Sequence, residues 1–170
     1  MTRRDLIHKW SVYTLALFFV WIVDAYLLPR IPLAGFTPVL LPVAAVSVAV
    51  LEGAYAGTGF GLAVGLLWEM AYPGGFGGLV FFLALTGAVT GGAAQYALSQ
   101  SLPGCMVCCA GALAALEFFR IAGRMLTGLA SLPELLWVAG PEFLLSLAWT
   151  PVIYFLFRCV YRRVGGTKLA

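Results

Sequence analysis

Apolar residues along this chain do not alternate with polar ones. They come in six long runs separated by short clusters of turn-forming or charged positions. The runs are His8 to Leu28, Phe36 to Leu51, Ala54 to Tyr72, Gly77 to Ser99, Pro103 to Leu126 and Trp137 to Val160. A helix rises about 1.5 Å per residue and needs about 20 apolar residues to cross the hydrocarbon of a bilayer. Each run therefore predicts one transmembrane helix, because backbone groups in lipid must be satisfied within their own segment. The second run is the shortest and carries Pro38 and Pro42 in its first half, which predicts a kinked or tilted helix. The connections are a few residues long, except near residues 127–136, and leave no room for a soluble domain. The pattern predicts an all-α integral membrane protein: one polytopic domain over residues 1–170, built as a six-helix transmembrane bundle.

Within the third run, Gly53, Gly57, Gly61 and Gly65 recur every fourth residue, and the next position in that series is Glu69. Residues four apart share a helix face. Glycines there clear the face so that another helix approaches closely, and dispersion then supplies the association that the hydrophobic effect cannot supply in lipid. The fourth run offers small residues to match, Ala84, Gly87, Ala88 and Gly91. Such a row serves either packing inside the bundle or docking of a partner.

Composition supports the membrane reading: 62% of the 170 residues are hydrophobic and 10% charged, against roughly 25% charged in a soluble domain. The net charge is only +3, and no basic stripe lies outside the termini, which sets nucleic-acid binding aside. Arg3, Arg4 and Lys9 at the start, and Arg158, Arg162, Arg163 and Lys168 at the end, outnumber Arg30, Arg120 and Arg124 on the opposite side. Both termini are thus expected in the cytoplasm, with Trp10, Trp68, Trp137 and Trp149 as interfacial anchors. Arg3 and Arg4 read as inside-facing charges rather than an export signal, since the run behind them has no small-residue cleavage site.

Charges inside spans are costly and mark bundle interiors, cavities or partners. At about 1.5 Å per residue, Asp24 lies about 24 Å along the first helix, Glu69 about 22 Å along the third, and Glu142 about 7 Å inward on the sixth. Glu117, Arg120 and Arg124 share one face of the fifth helix at a similar depth. All fall in the outer half of the membrane. Arg120 and Glu142 reach matching depth on adjacent antiparallel helices and are expected to pair. Asp24, Glu117, Arg120, Arg124 and Glu142 form a structural ion-pair network on this reading, and an outward-facing site for a small ligand or ion is its rival.

Other candidates for chemistry are thin. Cys105, Cys108 and Cys109 lie near one helix face with Cys159 at a similar level, a set of thiols that suits zinc or simple filling of apolar space. Tandem cysteines splay apart on a helix, so filling is the expectation, with no metal and no cofactor. His8 is the single histidine and sits at the boundary of the first run. No HExxH, GxSxG or phosphate-binding glycine loop with a lysine is present. The glycine-rich run at residues 74–78 follows Pro73 between two spans and reads as a tight turn. Asp5 and Asp24, at opposite ends of one helix, do not form an aspartyl-protease pair. No enzymatic activity is expected.

The run GFGLAVGLLWEMAYPGGFGGLVFFLALTGAVTGG resembles the rod shape-determining MreD family. That family shows a glycine-containing helix ending in Gly-Leu-Leu-x-Asp, a Gly-rich turn, and an apolar helix with a small-residue patch. Gly65, Leu66, Leu67, Trp68 and Glu69 fill the first element, with glutamate for aspartate; Gly74 to Gly78 fill the turn and Gly87 to Gly92 the patch. The motif covers residues 60–92, and the layout of spans and the basic end after a proline-containing last helix agree over most of the chain.

The resemblance implies a nonenzymatic scaffold of the bacterial cell-elongation machinery in the cytoplasmic membrane. It would support rod shape and lateral peptidoglycan synthesis through an MreC-type single-span partner and the cell-wall glycosyltransferase and transpeptidase. Gly57, Gly61, Gly65 and Glu69, with Phe76 and Leu79 beyond the turn, are the expected partner-binding surface. The family fold is similar to the substrate-binding subunits of energy-coupling-factor vitamin transporters, which supplies the alternative of an outward-facing ligand pocket. Against that alternative, the first helix lacks the alanine row with which such subunits meet their coupling protein, and the outer segments are nearly bare of amides.

Overall fold

A computed structural model describes residues 3–30, 36–71, 78–96, 101–126 and 132–164. These residues form six α-helices: α1 (Arg3–Ile22), α2 (Leu40–Glu52), α3 (Ala54–Ala71), α4 (Gly78–Tyr96), α5 (Leu102–Leu126) and α6 (Leu132–Val164). A single π-turn (Val23–Leu27) and a short 3₁₀ turn (Leu28–Arg30) prolong α1. Four stretches are long and apolar enough to cross a membrane: Ile7–Arg30, Gly78–Tyr96, Leu102–Met125 and Leu135–Val164. Large apolar side chains such as Leu15, Phe18, Phe81, Leu144 and Phe155 stand exposed on these helices, as suits a multi-pass protein whose solvent is lipid.

The two remaining helices depart from the six-span expectation in different ways. α3 is 18 residues long, about 27 Å, but its glycines and Glu69 dilute the apolar run. α2 has 13 residues, all of them buried, and at about 20 Å it is shorter than the roughly 30 Å of hydrocarbon. It begins at Leu40 rather than at the expected Phe36, and it packs against all five other helices. Pro38 lies before the helix and Pro42 falls in its first turn, where no helical N–H is lost. α6 starts at Leu132, so part of the expected 127–136 connection is helical.

α2 is thus the axis of the bundle. Its Leu40, Leu41, Val43, Val46, Val48 and Val50 are essentially inaccessible and centre one apolar core. Tyr13 of α1, Phe60 of α3 and Phe157 of α6 close that core at one end, with Tyr13 and Phe157 stacked at 6.3 Å and Phe60 edge-on to Phe157 at 5.8 Å. Aromatic pairs in these arrangements add about 0.5–1.5 kcal/mol beyond simple burial.

The turn from α2 to α3 is a single residue, Gly53, at φ 93° and ψ −178°. Only glycine adopts that backbone without strain. The rest of the glycine row has another use. A Cβ on Gly57 would lie 2.6 Å from Gly87 O, and one on Gly65 would lie 2.6 Å from Val80 Cα; at Gly61 it would strike Leu83 O. On the facing helix, Gly87 and Gly91 meet Gly57 and Ala54 in the same way. α3 and α4 therefore touch backbone to backbone along the whole row.

Candidate functional site

Buried charged side chains among the described residues collect at the two ends of the bundle, and the apolar core separates them. At the end where α1 finishes and α2 begins, the backbone leading into α2 is not helical. Val39 is extended and has no side-chain cap of its own. Non-helical backbone at membrane depth is tolerated only where other groups satisfy it. Here two neighbouring helices supply the caps. Ser146 Oγ of α6 accepts the Val39 N–H at 2.8 Å, and Asp24 Oδ1 accepts the Leu40 N–H at 2.8 Å. Asp24 is the buried residue of the π-turn, in which the Leu28 N–H reaches back five residues to Val23 O. Single π-turns inside helices gather at functional positions, and a carboxylate at a helix N-terminus is held favourably by the helix dipole.

Arg120 of α5 crosses this end. Its Nη1 donates to Glu117 Oε1 at 2.8 Å and to Glu142 Oε1 of α6 at 3.0 Å. All three side chains are half-buried. The structure thus brings Arg120 together with Glu142, which the depth arithmetic pairs with it, and with Glu117 of its own helix face. Asp24, Thr37, Pro38, Val39, Trp68, Arg120, Arg124 and Glu142 line one cavity of about 360 Å³. Asp24, Arg120, Arg124 and Glu142 of the expected network share that cavity, and Glu117 reaches it through Arg120. Arg124 is the exposed member.

Glu69, at the end of α3, is half-buried, and its Oε1 is buried with no hydrogen-bond partner. It is not part of the cavity wall. Gly57, Gly61 and Gly65 are buried against α4, so that face is already occupied within the bundle and is not open to another protein. Leu79 is half-buried against the core. Phe76 and residues 74–77 of the expected turn lie outside the described residues. Cys105, Cys108 and Cys109 are buried and Cys159 is exposed. Cys105 Sγ stands 3.9 Å from Cys109 Sγ and 3.7 Å from Ser47 Oγ. Among the described residues no group of three or more His, Cys, Asp or Glu is placed to hold a metal ion.

The opposite end holds a feature that the sequence reading passed over. Lys9, only 3% exposed, donates to Glu52 Oε2, and Tyr13 Oη donates to Glu52 Oε1 at 2.9 Å. Glu52 is itself 6% exposed and is the last residue of α2. Lys9 reads in sequence as one more inside-facing charge, and Glu52 as a polar end to an apolar run. The depth arithmetic that pairs Arg120 with Glu142 also pairs these two, since both lie at the ends of their helices on the same side. Each end of α2 is therefore anchored to α1 by a buried carboxylate, Asp24 at its beginning and Glu52 at its finish. Comparison with protein-family models, curated proteins and solved structures finds no match to this chain.

Proposed function

We propose that this protein is a nonenzymatic membrane scaffold of the bacterial cell-elongation machinery, of the MreD type. The observation that carries the reading is the α3–α4 pair, residues 54–71 and 78–96. It holds most of the residues that resemble the family, and its helices touch along the glycine row. A rigid pair of this kind gives partners a fixed surface within the bilayer. The supporting features are an exterior rich in exposed apolar side chains and acids that are paired or bonded inside the bundle, as for Glu52, Asp24, Glu117 and Glu142.

In this reading the chain crosses the cytoplasmic membrane six times with both termini inside. α2 completes its crossing with the non-helical lead-in at residues 36–39, and α3 crosses at about 27 Å. The glycines fix the pair from within, and the MreC-type partner and the cell-wall synthases meet its outward side near Glu69 and Leu79. The charged cavity favours a second reading, a substrate-binding subunit of an energy-coupling-factor transporter.

The experiment that separates them is to tag the protein at its native locus, solubilise it gently and identify what co-purifies. Recovery of an MreC-type protein with a glycosyltransferase and transpeptidase supports the scaffold. Recovery of two ATPases with a coupling membrane protein overturns it in favour of the transporter subunit.

A further inference from the structure

From the walls of the 360 Å³ cavity we infer a binding site for a small zwitterion, a molecule with one ammonium group and one carboxylate or phosphate. The inference does not depend on which partners the protein assembles with. The walls carry two cations, Arg120 and Arg124, and two anions, Asp24 and Glu142. Glu117, bonded to Arg120 from behind, adds a third acid, so the group carries a slight excess of negative charge, and its hydrogen bonding is not exhausted. Both hydrogen bonds of Arg120 leave from Nη1, and a guanidinium has five N–H donors in a fork that matches a carboxylate or phosphate. Glu142 is engaged at Oε1 and Asp24 at Oδ1, which leaves the second oxygen of each for an ammonium.

The remaining nitrogens of Arg120 and the second oxygens of these acids are not among the sealed, unpartnered atoms of the described residues. A lone anion would meet the excess of acid, and a lone cation would leave the arginine donors unused, each at a desolvation cost. A zwitterion engages both, its two ends matching the two kinds of group. Trp68, Pro38 and Val39 supply an apolar side for a short hydrocarbon portion. The volume is at the small end of ligand pockets, which run about 300–1,000 Å³, and it admits an amino acid or a lipid headgroup of the phosphoethanolamine kind.

Two arms distinguish those sources, both with the full chain in lipid nanodiscs. In phosphatidylglycerol discs, calorimetric titration uses glycine, L-alanine, L-leucine and L-phenylalanine, with ethylamine and propionate as singly charged controls. In discs containing phosphatidylethanolamine, native mass spectrometry counts the retained headgroup lipid. Saturable binding of an amino acid in the first arm identifies a free ligand, and one retained phosphatidylethanolamine in the second identifies a lipid; either supports the site. Asp24→Asn keeps an acceptor for Leu40 and removes the charge. It is expected to weaken the bound zwitterion about tenfold or more. Arg124→Gln, at an exposed position, tests the other end without disturbing the core. Absence of binding in both arms overturns the inference. So does binding of ethylamine or propionate as strong as that of the amino acids, or equal affinity in wild type and both variants.

Discussion

At the scale of single residues the Lys9–Glu52 pair and the Arg120 group behave differently under mutation. Glu52→Ala leaves the Lys9 ammonium, 3% exposed, without its counter-ion and removes the acceptor of Tyr13 Oη. Breaking a buried pair from one side costs about 3–5 kcal/mol, so the unfolding midpoint in mixed micelles should fall sharply. The double variant Lys9→Met with Glu52→Leu removes both charges and should recover most of that loss; equal loss in single and double variants would count against a mutual pair. Arg120→Ala strands Glu117 and Glu142, which are better solvated, and should cost about 1–3 kcal/mol, read as lower steady-state abundance in the membrane. The Arg120–Glu142 contact is legible in the sequence because helical rise turns position into depth. Lys9 obeys the same rule, but a lysine at the head of a span has a ready alternative explanation as a topology signal. The caps from Asp24 and Ser146 are not legible, since they answer to backbone groups on another helix.

Among the elements, α3 and α4 are the clearest case of sequence specifying contact. A residue row without side chains states that something comes close, and the small residues at 84, 87, 88 and 91 state what. Paired substitutions test the assignment. Gly61→Ala places a methyl against Leu83 O and should destabilise the protein by more than 1 kcal/mol, whereas Gly59→Ala has nothing within 4 Å. Gly59→Ala should be neutral or gain up to about 1 kcal/mol in helix propensity. Thermal unfolding of both in the same detergent is the measurement, and equal effects would reject the seam. α2 is where sequence reasoning runs short. In water, the polar face of a helix shows which side is exposed. In lipid both the core and the solvent are apolar, so a helix buried on all sides carries much the same letters as one that faces acyl chains. The helical start of α6 before Trp137 is hidden for a similar reason: Pro133 and Glu134 look like a connection, although both suit the first turn of a helix.

For the molecule as a whole, the even number of proposed crossings is a prediction about sidedness. Reporter fusions active only in the cytoplasm should work at both the N- and the C-terminus, while an alkaline-phosphatase fusion between α3 and α4 should be active outside. Opposite behaviour of the two termini would require an odd number of crossings and would remove either α2 or α3 from the set. The burial of every residue of α2 also bears on how the protein is made. α2 leaves the ribosome second, but α3 to α6, which cover most of it, are synthesised afterwards. During that interval a helix of about 20 Å holds Ser47 and Glu52 with only α1 beside it. Glu52 then has Lys9 and Tyr13 of α1 as its earliest shelter, so the first helical hairpin carries its own neutralising group before the rest of the bundle exists. Nascent chains arrested after Ala71 should be degraded faster when Lys9 is replaced by Met than when it is kept, which makes this ion pair a feature of biogenesis as much as of the finished fold.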